Sequence, residues 1–83
     1  MPKVALVDGV RIDFYPSEHP PPHFHAVFAE HRAQIDIRRL AVLRGNLPPA
    51  KLRSVIAWAT QHQDELFAAW TAVEAKRKPG KIG

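Results

Sequence analysis

The sequence contains no cysteine. Both a disulfide framework and a thiolate metal site are therefore excluded, and the absence suits a reducing compartment. No apolar run approaches the ~18 residues that a membrane-spanning helix requires. Met1-Pro2-Lys3-Val4 lacks the apolar stretch of a signal peptide. The expectation is a soluble, cytoplasmic protein with no membrane contact. A Walker loop, a dinucleotide-binding fingerprint, a zinc-protease helix motif and a nucleophile elbow are all missing. Those absences remove most readily recognised enzyme classes and leave open whether the chain is an enzyme at all. Internal repeats and low-complexity stretches are missing as well.

What is present is a chain of 83 residues, 46% of them hydrophobic. That is enough apolar material for one core. A domain of this size buries about two-thirds or less of its unfolded surface, so its stability is marginal. We expect a single α+β domain over residues 1–78 and a short, basic, disordered tail over 79–83. The net charge of +4 is unevenly placed. Residues 1–43 carry five basic and five acidic side chains; residues 44–83 carry seven and three. Lys76, Arg77, Lys78 and Lys81 cluster at the end. Such a tail attracts polyanions by counterion release, and it equally reads as a solvated, frayed terminus.

The patterning predicts strands first and helices last. Lys3 to Val7 is short and β-prone, and Asp8-Gly9 between apolar runs is a strong hairpin signal. Val10, Ile12 and Phe14 alternate with Arg11, Asp13 and Tyr15, the period of a half-buried strand. Pro20-Pro21-Pro22 fixes three φ angles and predicts a stiff, polyproline-like connector. A second hairpin follows: His23 to Ala29, a turn at Glu30-His31-Arg32, then Ala33 to Ile37. Period two places Phe14, Phe24, Phe28, Ile35 and Ile37 on the core face. Arg39 to Leu47 is expected to be a connecting segment with buried anchors. The fold class is thus α+β, an antiparallel β-meander of about four strands followed by one long kinked helix or two C-terminal helices.

Pro48-Pro49 opens the helical part. Leu52, Val55, Ile56, Ala59, Leu66, Phe67, Trp70 and Val73 form one stripe at helical spacing, interrupted by Gln63. An unbroken helix would be ~43 Å long at 1.5 Å per residue, against an expected radius of gyration of about 12 Å. The chain should therefore bend or break near Gln61–Asp64, with Asp64 able to cap a second helix. Pro79-Gly80 is the stop signal. Trp58 lies at the edge of the stripe, where it suits either partial burial or a partner interface.

The densest polar cluster is His19-Pro20-Pro21-Pro22-His23-Phe24-His25. On a strand, His23 and His25 leave the same face, with Cα atoms about 6.7 Å apart. Two imidazoles at that spacing hold a zinc-like ion if a third ligand joins them. Asp13, Asp36 and His31 are the candidates, and Asp13 is taken with His23 and His25 as the metal set. Without metal, His23, His25, Arg11 and Tyr15 make a catalytic set for phosphodiester chemistry, with Arg stabilising charge and His moving protons. The bland alternatives are histidines half-exposed in a polar sheet face and Arg11/Asp13 and Asp36/Arg38 charge pairs. DNA binding is the weaker expectation, because no helix clusters Arg or Lys.

Phe14-Tyr15, the run Pro21-Pro22-His23-Phe24-His25-Ala26, Ala33 to Ile37, Gly45, Pro48-Pro49, Glu65-Leu66 and Trp70 occur here in order. Together they resemble the bacterial family known as domain of unknown function 4160, over about Val4 to Trp70. The Pro-Pro-His-x-His run is the most specific part; the basic tail lies outside the pattern. The resemblance implies a short bacterial protein whose gene often neighbours one for domain of unknown function 2442. It further implies a toxin–antitoxin-type module in which this family supplies the toxin. A protein partner encoded by the neighbouring gene, or a homo-oligomer, and an RNA target follow from it. The alternative is a small His-based ribonuclease or metal-dependent hydrolase. The resemblance transfers no catalytic residues.

Overall fold

A computed structural model describes residues 3–83. Five strands form one antiparallel sheet in the order β1-β2-β3-β4-β5, followed by two helices. The strands are β1 (Lys3–Val7), β2 (Val10–Asp13), β3 (His23–Phe28), β4 (His31–Asp36) and β5 (Ala41–Gly45). The helices are α1 (Pro49–Gln61) and α2 (Gln63–Glu74). The α+β meander is therefore as expected, with one strand more. The radius of gyration is 11.4 Å and the longest extent 33 Å, too short to hold an unbroken 43 Å rod.

Alternation decides which face is which. Val10, Ile12, Phe14, Phe24, Ala26, Ala33, Ile35 and Ile37 are buried in the core. The helices contribute Val55, Ala59, Leu66, Ala69, Trp70 and Val73 from the other side. Phe24 meets Trp58 of α1 edge to face, with ring centroids 6.3 Å apart. Trp58 is thus half-buried against the sheet. Phe28 is only partly buried and lies 4.8 Å beneath the Lys51 ammonium.

Several local expectations are corrected. The β3–β4 turn is Ala29-Glu30, because Phe28 pairs with His31, and Ala29 takes φ +53° to close the two-residue loop. Residues 41–45 form β5, an edge strand exposed along its length, rather than an anchored connector. Its apolar residues Val42 and Leu43 face solvent, and only Leu47 beyond it is buried. Between Gln34↔Arg44 and Ile35↔Val42 the register slips, leaving Leu43 as a bulge. A bulge twists an edge away from unwanted pairing. The proline connector is not uniformly extended: it turns at Pro16-Ser17 and bends at Pro20-Pro21.

The helix breaks at His62, within the expected window. His62 is the N-cap of α2 and its Nδ1 lies 2.6 Å from Glu65 Oε1. Asp64 sits in the first turn instead of capping it, where its charge suits the helix dipole. Gln63, the polar interruption of the stripe, donates from Nε2 to the Ile37 carbonyl at 2.9 Å. It ties the junction to the end of β4. The tail is also tied: Ile82 is buried, and its N–H donates to the Val4 carbonyl at 2.8 Å. Val4 is the bulge residue between Lys3↔Asp13 and Ala5↔Ile12. A disordered 79–83 is thus corrected at Ile82.

The α2 helix ends earlier than Pro79-Gly80 would dictate. Arg77 N–H bonds the Ala72 carbonyl at 2.7 Å and Lys76 N–H the Val73 carbonyl at 3.0 Å. This is the Schellman pattern, with Lys76 in the left-handed position at φ +59°. A lysine there carries a Cβ clash that glycine avoids. Lys76→Gly should therefore stabilise the domain by about 0.5–1 kcal/mol in urea unfolding. An unchanged or lower midpoint would show that Lys76 makes compensating contacts.

Candidate functional site

The open face of the sheet is polar because the register brings its polar positions into rows. His25 stands opposite Asp13 on β2 and Gln34 on β4, and Gln34 stands opposite Arg44 on β5. Beside that row, Arg11 stands opposite Val27, and Val27 opposite Arg32. His23 pairs with Asp36. Directly opposite residues share a face, so His23 and His25 do emerge on the side away from Phe24.

The two rings are not half-exposed. His23 is 6% exposed and the His25 side chain 13%. Their centroids lie 5.3 Å apart, edge to face. His25 stacks on Tyr15 at 4.0 Å with an interplanar angle of 26°. The His23 ring lies 5.2 Å from that of Trp70 on α2. Both therefore have their planes set by aromatic neighbours.

Glu18 completes the cluster. It reaches back from the β2–β3 connector, and one carboxylate oxygen, Oε1, faces Nε2 of both rings. The His23 contact is 3.2 Å; His25 is closer still. The other nitrogen of His23 donates to the Pro21 carbonyl at 2.8 Å. Burial opposes ionisation of Glu18, but hydrogen bonds from His25 and His23 and their charge outweigh it. The carboxyl is held below its ordinary range. The donor atoms of Glu18, His23 and His25 all lie within 4.8 Å of one another.

The residues first considered as the third member are occupied elsewhere. The Asp13 carboxylate is buried and binds Arg11 Nε at 2.8 Å, so the proposed set His23, His25, Asp13 is replaced by one containing Glu18. Asp36 accepts the N–H groups of Arg38 and Arg39 and closes the β4–β5 turn. His31 lies at the far end of β4, with its Nδ1 3.3 Å from Asn46 Oδ1. Arg11 shares the face with the histidines but is engaged by Asp13, whereas Tyr15 is in direct contact with His25. Glu18 was missed because a loop residue follows no strand or helix period. Its signal was being the one acidic residue between Asp13 and His23.

His25 and Tyr15 open onto a shallow groove of about 260 Å³. Its remaining walls include Arg32, Gln34 and Arg44. Arg32 and Arg44 are exposed, free to present their guanidinium groups to a ligand. The groove thus combines a stacked aromatic pair and two cations, and His25 links it to the Glu18–His23–His25 cluster behind it.

No curated protein and no solved structure matches the chain. The model of one family does, over residues 9–71, and that span takes in every strand from β2 to β5, the cluster, the groove and nearly all of both helices. The chain accordingly belongs to the family described as Domain of unknown function (DUF4160).

Proposed function

We propose that this protein engages single-stranded RNA on the open face of its sheet and acts there as the effector of a toxin–antitoxin-type pair. One observation carries the reading. The groove places Arg32 and Arg44 on the same surface as a histidine–carboxylate cluster and a stacked tyrosine. Guanidinium groups bind phosphate and stabilise the charge that develops on it. A half-exposed aromatic ring such as Tyr15, already stacked on His25, extends that stack by accepting a base, which single strands permit and duplexes do not. The cluster supplies the group that acts on the phosphodiester.

The test is cleavage and binding of labelled single-stranded RNA. Wild type should cleave, and His25→Ala should cut the rate by about 10²-fold or more. The double variant Arg32→Ala, Arg44→Ala should bind more weakly and lower the slope of log K against log salt by about 1.4. Absence of both binding and cleavage by wild type would end the RNA reading.

A second reading, an interaction module without catalysis, rests on the edge of the sheet. The β5 strand is unpaired on one side and exposes Val42 and Leu43. A partner strand could add there. Stable co-purification with the neighbouring gene's product, lost in Val42→Lys, would favour it.

A further inference from the structure

We infer that Glu18, His23 and His25 form a binding site for one divalent zinc-class ion. The inference uses the same cluster as the RNA reading and specifies its chemistry, but stands on geometry of its own.

The first argument is convergence. Hydrogen-bonded side chains usually pair two by two. Here three donor atoms from three residues gather within 4.8 Å. Tetrahedral zinc with bonds of about 2.0–2.2 Å to nitrogen and oxygen sets its ligand atoms about 3.3–3.5 Å apart. The His23 Nε2–Glu18 Oε1 separation of 3.2 Å already falls beside that spacing.

The second argument is proton accounting at His23. The Pro21 carbonyl can only accept, so His23 Nδ1 carries the hydrogen. Nε2 faces the Glu18 carboxylate, which only accepts, so a positive centre belongs between them, either a proton on the ring or a metal ion. A single metal ion satisfies His23, His25 and Glu18 at once, where protons would have to sit on both rings. An Nδ1–H bonded to a backbone carbonyl is also the usual support of a metal-binding histidine, since it fixes the tautomer and the ring plane.

The third argument is the donor set. Two imidazoles and one carboxylate suit zinc and related transition ions rather than magnesium or calcium. Three protein ligands leave one tetrahedral position for water. Bound water on zinc ionises near neutrality, which would provide a nucleophile next to the arginine-lined groove.

The test is metal content and affinity, measured on the full chain purified without a metal-chelating tag. Elemental analysis should find close to one zinc per chain. Cobalt titration of the metal-stripped protein should give the visible bands of a tetrahedral site, saturating at one equivalent. Glu18→Gln should weaken cobalt and zinc binding about tenfold or more. His25→Ala should abolish stoichiometric binding. His23 is buried against Trp70, so it is not relied on. The Glu18→Gln variant should keep the wild-type circular dichroism spectrum, which separates ligand loss from unfolding. Absence of stoichiometric zinc or cobalt in wild type, or equal affinity in Glu18→Gln, would overturn the site. RNA cleavage that persists in metal-stripped protein lacking any zinc affinity removes the metal and keeps the RNA reading. Tight zinc with no effect on RNA does the reverse.

Discussion

Phe24→Ala should lower the unfolding free energy by about 3–5 kcal/mol, the cost of emptying a fully packed aromatic site. Phe24 is 0% exposed and its ring abuts Trp58 edge to face. The loss has two parts: the transfer energy of the ring and the contacts its neighbours forfeit around the cavity. A small domain has about 5–15 kcal/mol in total, so the variant should be largely unfolded on moderate warming. Phe28→Ala is the control. Phe28 is only partly buried beneath Lys51, so its loss should cost markedly less. Urea unfolding followed by the fluorescence of Trp58 and Trp70 measures both. Both rings lie on the core face, so equal effects of the two substitutions would refute the position of Phe24 at the centre of the core and of Phe28 at its margin.

Gly45→Ala should be nearly as damaging, on the order of 3 kcal/mol, for a different reason. Gly45 has φ +79°, a region that costs any residue with a side chain about 1–2 kcal/mol. A Cβ there would also lie 3.1 Å from the Arg32 carbonyl carbon and 3.2 Å from the Ala33 Cα, and nearer still to the Arg32 carbonyl oxygen. These are backbone atoms, and the same oxygen accepts the Asn46 N–H at 2.9 Å. Relief requires β5 to move off β4. Hydrogen exchange should therefore show fast amides across β5 and the facing edge of β4, with the helices protected. The groove would suffer too, because Arg44 stands next to Gly45. Retention of wild-type stability in Gly45→Ala would mean that the β4–β5 register differs from the one described.

The same local rules account for what could and could not be read from the chain. Asp8-Gly9 announced its hairpin because both residues accept positive φ, and they take +50° and +79°. Period two over Val10–Phe14 and Phe24–Ala26 announced the buried face. The break at His62 followed from length: a single helix could not fit a body 33 Å long. By contrast, β5 has an exposed pattern throughout and no alternation to betray it. It is a strand because β4 offers an unpaired edge. The tail was misjudged at Ile82 for a similar reason, since one isoleucine among basic residues carries no period, and its partner is the bulged Val4 at the other end of the chain.

For the candidate site the division is sharper. Alternation along one strand put His23 and His25 on the same side of β3, whatever else the molecule did. Only folding could choose their company. Asp13, the nearest acidic residue by strand logic, went to Arg11, while Glu18 swung back from a proline-rich connector whose path no periodicity describes. Arg32 and Arg44 lie twelve residues apart in the chain and meet at one groove because β4 and β5 pair in a single register. Side-chain direction within an element is a local property of backbone geometry. Which elements become neighbours is set by the core they must jointly bury, and the chemistry of this site lies in those neighbours.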